Sequence, residues 1–300
     1  MTRPTITQAM IDLYDCFTHG EGADGFDRRA LMAGLARLGG SAAAASVILP
    51  LIAGSSAAAS IVAADDKRVI AETAHWPGGT IHRLSGYLVR PAVSERLTLG
   101  AVMLIHENRG LTDHIRDVAR RLALEGFVVL APDFLSPTGG TPTGDDDKAR
   151  AMIGALGRDA TVADGVATLD YLATVKGTNA RVGAVGFCWG GGMVNAVACA
   201  AGPHLRAGVA YYGPQPPVAL VSAIKARMLL HYAGLDERID AGIPAYEAAL
   251  KAAKINYDAF IYPGVNHAFN NDTSTERYNK DAADLAWKRT VAMLHETLGG

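Results

Sequence analysis

A cysteine in a glycine-rich turn is the residue with the clearest chemical potential in this chain. Residues 186–192 read Gly-Phe-Cys-Trp-Gly-Gly-Gly, between an apolar strand-like run and a stretch of small residues. Glycines before and after Cys188 suit a turn so tight that side chains would collide with neighbouring backbone. The helix that follows such a turn favours a thiolate at its start. The pattern predicts Cys188 as a nucleophile, with a buried structural cysteine as the alternative.

Two later segments supply a candidate acid and base for this nucleophile. In a triad built on such a turn, the carboxylate and the histidine follow the nucleophile in chain order, each after a later strand. Asp236, with Glu237 and Asp240 as rival carboxylates, follows one apolar run, and His267 follows the next. We expect His267 to exchange protons with the thiol and the leaving group. We expect Asp236 to hold the imidazole ring in the useful tautomer.

Acyl transfer also needs hydrogen-bond donors for the oxyanion that forms during the reaction. The backbone N–H of Trp189, directly after the nucleophile, is the first predicted donor, and Asn108 in a loop after an earlier strand is the second. Glu107 is unexpected at the buried end of a central strand on packing grounds. Arg109 either binds a substrate carboxylate or forms a simple surface ion pair with Glu107.

Apolar runs of strand length alternate with segments of helical spacing over most of the chain. The predicted strands are 86–89, 101–106, 127–132, 182–187, 207–212, 228–232 and 257–262. The predicted helices are 112–125, 159–175, 189–200, 243–253 and 281–298. This alternation predicts an α/β protein of the α/β-hydrolase fold, with a mostly parallel sheet, helices on both faces and the site at the carboxyl ends of the strands. The loop 136–147 is expected to border that site.

Charge and cysteine content narrow the class of partner. The 300 residues carry 28 basic and 30 acidic side chains, a net charge of −2. Such a balance gives no long-range field for nucleic acid or an anionic membrane, so a small-molecule substrate is expected. The three cysteines, Cys16, Cys188 and Cys199, contain no CxxC pair and are too few for a disulfide framework. The oligomeric state is left open.

The first 64 residues differ from the rest. Residues 38–64 contain no charged side chain, and Arg28-Arg29 precede them. A paired arginine, a mildly apolar stretch and small-residue sites at 57–59 or 62–64 resemble a twin-arginine export signal. This predicts a leader at 1–64, a catalytic domain at 65–300 and a periplasmic or exported protein. One alternative is an uncleaved helical hairpin that packs on the catalytic domain or on a neighbouring subunit, in a cytoplasmic protein. Another is a retained membrane anchor, which the low Leu and Ile content disfavours.

Three segments together resemble the dienelactone hydrolase family over roughly residues 86–298. They are 106–110 (His-Glu-Asn-Arg-Gly), 186–191 (Gly-Phe-Cys-Trp-Gly-Gly) and 266–269 (Asn-His-Ala-Phe). The resemblance implies hydrolysis of a dienelactone ring through an acyl-cysteine intermediate, with Glu107 contacting the cysteine and helping to generate its thiolate. It implies no metal and no organic cofactor.

The substrate is less sharply implied than the reaction. The family's second substrate-binding arginine has no match at the same spacing, and Arg277 is the nearest candidate. A general carboxylester or thioester is therefore an alternative substrate to a lactone. A catalytically silent α/β-hydrolase scaffold that binds a small ligand or a partner protein is the alternative from another class.

Overall fold

The computed structural model describes residues 4–19, 27–54, 60–93 and 98–299. The strands in these ranges are β1 (Val69–Pro77), β2 (Arg83–Pro91), β3 (Leu99–Ile105), β4 (Val128–Asp133), β5 (Thr178–Phe187), β6 (Ala207–Tyr211), β7 (Arg227–Ala233) and β8 (Tyr257–Tyr262). The helices are α1 (Gln8–His19), α2 (Arg28–Gly39), α3 (Ala42–Ala53), α4 (Asp113–Leu124), α5 (Asp146–Gly154), α6 (Arg158–Thr174), α7 (Trp189–Ala200), α8 (Glu237–Asp240), α9 (Ile243–Ala252) and α10 (Lys280–Leu298).

The strands form one sheet in the order β1-β2-β4-β3-β5-β6-β7-β8. Strands β3 to β8 pair in parallel, whereas β1 and β2 pair antiparallel at one edge. Every residue of β3 and β4 is buried, because helices cover both faces of the sheet. Alternate side chains of β3, such as Met103 and Leu104, therefore enter different cores. Helices α6, α7 and α9 contribute to the first core, and α4 and α10 contribute to the second. The predicted fold class is confirmed.

The structure contains elements that the sequence did not predict, among them β1 and α5. Strand β1 was not predicted, because most of its residues are exposed at the edge of the sheet and form no continuous apolar run. Helix α5 was also not predicted, because its first turn lies in the segment 136–147, whose composition is typical of a loop. The Asp145 side chain accepts a hydrogen bond from the Lys148 N–H and starts this helix, so Asp146 and Asp147 are helical.

The three N-terminal helices have an apolar core of their own. Met10, Leu31, Leu35, Ile48 and Ile52 are among its buried members. No single helix in the described ranges is long and apolar enough to cross a membrane. The pair α2 and α3 passes that test of length and composition only when joined, and it is bent by 108°.

The structure describes one of the two predicted cleavage sites. Residues 57–59 lie outside the described ranges. In the site at 62–64, the buried Val62 donates its N–H to Asp117, and its carbonyl accepts a hydrogen bond from Arg120. Cleavage of a leader at 1–64 stays a prediction.

The turn after β5 depends on small residues, which gives a prediction for stability. A Cβ at Gly190 would lie 2.4 Å from the Ile105 carbonyl oxygen, whereas a Cβ at Gly154 would meet nothing within 4 Å. We expect Gly190→Ala to lower the free energy of unfolding by about 1–3 kcal/mol, because backbone must move to admit the methyl group. Gly154→Ala is the matched control, and urea denaturation measures both. Equal stability of the two variants would contradict this account of the turn.

Candidate active site

Cys188 lies at the bend between β5 and α7. Its backbone has φ 55° and ψ −117°, a conformation that is strained for a residue with a side chain. The Cys188 N–H donates to the Tyr211 carbonyl over 3.0 Å, and the Gly192 N–H donates to the Cys188 carbonyl over 3.1 Å. A Cβ at Gly186 would lie 2.2 Å from the Gly190 carbonyl oxygen, so the bend requires glycine there. These constraints fix the position of the cysteine at the start of α7.

Asp236 and His267 come together beside this cysteine. Asp236 follows β7 and His267 follows β8, and both side chains are buried. His267 Nδ1 lies 2.5 Å from Asp236 Oδ2. A carboxylate only accepts hydrogen bonds, so Nδ1 carries a proton. Nε2, the other ring nitrogen, is then available for proton exchange. The rival Glu237 is exposed on α8.

The charges of these groups support one another. Burial lowers the pKa of His267, but the negative charges of Asp236 and of a Cys188 thiolate outweigh burial and raise that pKa to about 10. Burial raises the pKa of Asp236, but the His267 imidazolium outweighs burial and holds it below its ordinary value. The site therefore favours an imidazolium paired with the Asp236 carboxylate.

A second histidine, which the sequence analysis did not identify, contacts the same sulfur. His19, the last residue of α1, places Nε2 at 3.3 Å from Cys188 Sγ. Its Nδ1 lies 2.7 Å from the Asp15 carbonyl oxygen, and its ring packs edge-on against His267 with 4.7 Å between centroids. No local motif marked His19, which is a lone histidine 169 residues from Cys188 in sequence.

The hydrogen bonds of His19 define its tautomer. A carbonyl oxygen can only accept, so Nδ1 carries the proton and the lone pair of Nε2 faces the sulfur. Burial lowers the pKa of His19 well below its ordinary value, and the charge of His267 lowers it further, so the ring is neutral. The Nε2 to sulfur contact is thus a hydrogen bond only when the Cys188 thiol donates. His19 stabilises the thiol, whereas His267 stabilises the thiolate.

Glu107 and Asn108 follow β3 and lie near Cys188, and their side chains form hydrogen bonds with other residues. Glu107 accepts hydrogen bonds from Asn271 over 2.9 Å and from Arg109 over 3.3 Å. Burial raises the pKa of Glu107, but Arg109 and further positive groups outweigh burial and keep it below its ordinary value. The Asn108 side chain donates to the Thr18 carbonyl over 2.9 Å. The activating role of Glu107 and the oxyanion role of Asn108 stay predictions.

The two predicted substrate-binding arginines lie close to the site and contact the N-terminal helices. Arg277 donates to the Ile52 carbonyl over 3.0 Å and to the Asp15 carboxylate over 3.1 Å. Arg109 donates to the Ala53 carbonyl over 3.0 Å, besides its pairing with Glu107. Both guanidiniums therefore have acceptors within the chain itself.

A cavity of about 620 Å³ lies beside Cys188. Its lining includes Cys188 and His267, together with Phe17 from α1, Ile153 from α5 and Trp189 from α7. This volume lies in the range of small-molecule sites. Trp189, whose backbone is a predicted oxyanion donor, stacks its ring on His106 with 5.2 Å between centroids.

The donor atoms at the bottom of the cavity also define which residues could hold a metal ion. His19, Cys188 and His267 each offer one donor atom, and these atoms lie within 4.8 Å of one another. Imidazole and thiolate are ligands that suit zinc. The prediction that the protein uses no metal is untested by this geometry.

A mostly parallel sheet with a nucleophile turn after β5 and a carboxylate–histidine pair after β7 and β8 defines an α/β-hydrolase fold. The sequence profile of the dienelactone hydrolase family matches residues 84–298, and the chain belongs to that family. It is therefore a hydrolase of the dienelactone hydrolase type.

Individual relatives agree with this assignment. An Escherichia coli protein provisionally named a carboxymethylenebutenolidase is 32% identical over 225 residues, which cover 69% of this chain and 80% of the relative. A Saccharolobus solfataricus protein with the same provisional name is 32% identical over 65% of this chain and 88% of its own. The crystal structure of a Klebsiella pneumoniae protein, provisionally named a dienelactone hydrolase, superimposes with a TM-score of 0.66 at 27% identity, covering 75% of this chain and 98% of that one.

His19 accepts a hydrogen bond from the Cys188 thiol, whereas the His267 imidazolium favours the thiolate, and this difference gives a prediction. We expect His19→Ala to move the pH profile of Cys188 alkylation by iodoacetamide to lower pH, because the thiol loses its acceptor while the imidazolium partner remains. Peptide mass spectrometry can follow Cys188 separately from Cys16 and Cys199. The control is His204→Ala, which alters an exposed histidine paired with Asp170.

The shape of the profile separates this effect from easier access. A purely steric effect of removing the ring would raise the alkylation rate by the same factor at every pH. An unchanged midpoint in His19→Ala would therefore show that His19 does not hold the thiol.

Proposed function

We propose that the chain hydrolyses an ester or lactone through Cys188 as nucleophile, His267 as general acid and base, and Asp236 as the residue that orients His267. The observation that carries this proposal is the 2.5 Å contact of Asp236 with His267 beside a cysteine in a nucleophile turn. Membership of the dienelactone hydrolase family supports the reaction class. Small-molecule esters and lactones are the substrates expected of such a hydrolase.

The acylation step uses the charges of the site. The Cys188 thiolate attacks the carbonyl carbon, and the oxygen gains a negative charge that the Trp189 N–H and an Asn108 donor would stabilise. When the tetrahedral species collapses, the bond to the leaving oxygen breaks and His267 gives that oxygen a proton. In a lactone the leaving alcohol stays attached to the acyl group. The product of this step is an acyl-cysteine.

The deacylation step uses His267 in the opposite direction. Neutral His267 takes a proton from a water molecule, and the resulting hydroxide attacks the acyl carbon. The carbon–sulfur bond then breaks, and the thiolate is restored beside the imidazolium. Asp236 stabilises the imidazolium in both steps, because its carboxylate stays at Nδ1.

A general carboxylester or thioester is the second candidate substrate, and the apolar residues Phe17, Ile153 and Trp189 in the cavity lining favour it. Export to the periplasm through a twin-arginine-like signal is a separate proposal. The contacts of Asp15, Ile52 and Ala53 with residues of the catalytic domain support the alternative in which this segment is retained. The N-terminal residue of the protein from its native source tests which is correct.

The assignment of the nucleophile gives a direct prediction. We expect Cys188→Ala to abolish hydrolysis of 4-nitrophenyl acetate, because no acyl-cysteine can form. Cys199→Ala is the matched control, since Cys199 is a partly buried cysteine on α7 that packs against a core. Activity of both variants is measured beside their thermal unfolding. Turnover by folded Cys188→Ala at the wild-type rate would refute the mechanism and leave the family fold intact.

A further inference from the structure

Two buried arginines lie near Cys188, and each guanidinium needs an anionic partner. Arg277 and Arg109 have side chains only 6% and 10% exposed. Burying a guanidinium without an anionic partner is strongly destabilising, so each needs acceptors. An acyl group with a carboxylate could supply one of these acceptors, because guanidinium binds carboxylate through a planar pair of donors.

The N-terminal helices already supply acceptors to both arginines. The Asp15 carboxylate of α1 and the Ile52 carbonyl near the end of α3 accept from Arg277 at 3.1 and 3.0 Å. The Ala53 carbonyl, one residue later, accepts from Arg109 at 3.0 Å. Glu107 and Asp146 supply the negative charge on the Arg109 side, each with a carboxylate oxygen 3.3 Å from its guanidinium. An incoming carboxylate would have to displace these groups.

Little room is left between the arginines and the nucleophile. A small space lined by Arg109, Arg277, Cys188, His267 and Glu107, among other residues, has a volume of only about 20 Å³. That is about the volume needed to hold a single water molecule. A carboxylate attached to an acyl chain does not fit there while α1 is docked.

The larger cavity offers a different environment to an acyl chain. Phe17, Ile153, Trp189 and Pro214 line it beside Cys188. Among its charged lining residues, Arg28 and Arg150 both pair with Asp147. Arg238 also lines the cavity and is partly exposed, so water and salt screen its charge.

We propose that the N-terminal extension, residues 8–53, makes this active site selective for neutral, apolar acyl groups over acyl groups that carry a carboxylate. The extension does so by placing its own acceptors on Arg277 and Arg109 and by forming one wall of the cavity with Phe17 and His19. The proposal rests on the proposed ester or lactone hydrolysis and specifies its substrate class. Asp15 is the specificity-determining residue, because it is the only charged group among the described hydrogen-bond partners that the extension offers to the two arginines.

A matched pair of esters tests the selectivity. The probes are 4-nitrophenyl pentanoate and the 4-nitrophenyl monoester of glutaric acid, which have the same leaving group and five acyl carbons and differ by one carboxylate. For the full-length chain we expect kcat/KM, corrected for the uncatalysed rates, to favour pentanoate by about 10-fold or more, the value of one charged hydrogen bond. Assays are run at pH 8, because burial raises the pKa of the Asp15 carboxyl and a higher pH favours its ionised form.

The variants identify the residue responsible. In Asp15→Ala, Arg277 loses its anionic partner and space opens beside it, so we expect the pentanoate-to-glutarate ratio to fall by about 5- to 10-fold. Asp12→Ala is the control on the same helix, where the side chain is exposed and bonds only to Gln8 among the described contacts, and its ratio should match wild type. Asp15→Asn, which keeps the side-chain volume, replaces Asp15→Ala if the latter does not fold.

The possible outcomes distinguish a failure of the proposed selectivity from a failure of the proposed ester hydrolysis. Wild-type protein that hydrolyses the glutaric monoester as well as pentanoate, or an unchanged ratio in the folded Asp15 variant, would overturn the selectivity while leaving ester hydrolysis standing. Hydrolysis of neither ester would instead contradict the proposed function. In that case, protection of Cys188 from iodoacetamide by pentanamide and by glutaric acid monoamide tests selectivity through binding, and equal protection would overturn it.

Discussion

The buried ion pair between His267 and Asp236 is the interaction on which the rest of the site depends. Burial alone would make His267 neutral, since it lowers the pKa of an imidazole. The Asp236 carboxylate at 2.5 Å reverses this effect and favours the imidazolium. The sheet holds this arrangement rigid, because Asp236 and His267 follow neighbouring parallel strands that end at the same edge. The order of the strands in the sheet thus determines that Asp236 and His267 meet.

The N-terminal helices contact the same site through His19, which packs against His267 and contacts Cys188. His19 offers a neutral lone pair to the sulfur, while His267 offers a positive charge. Two histidines therefore lie beside the Cys188 sulfur, one from the turn after β8 and one from α1. The same N-terminal helices contact both buried arginines, so they touch the sulfur of Cys188 and the guanidiniums beside it together.

The fold could be predicted from the sequence because each central strand is buried on both faces and therefore appears as a continuous apolar run. Cys188, Asp236 and His267 were predicted because each follows such a run in the order that a nucleophile turn requires, and the structure brings their side chains close together. Strand β1 was missed because its exposed edge position imposes no apolar pattern. His19 and the partners of Arg277 were missed for a different reason. Their contacts join positions 169 and 262 residues apart, and no local spacing encodes such contacts.

The central claim is that the carbon–sulfur bond of an acyl-cysteine forms at Cys188. Rapid acid quenching of the enzyme during turnover of a slowly hydrolysed ester, followed by peptide mass spectrometry, measures where the acyl group is attached. The account predicts an acyl group on the peptide that contains Cys188, which appears within one turnover and decays at the rate of product formation. Turnover that leaves this peptide unmodified, or an acyl group on a different residue that decays at the catalytic rate, would contradict it.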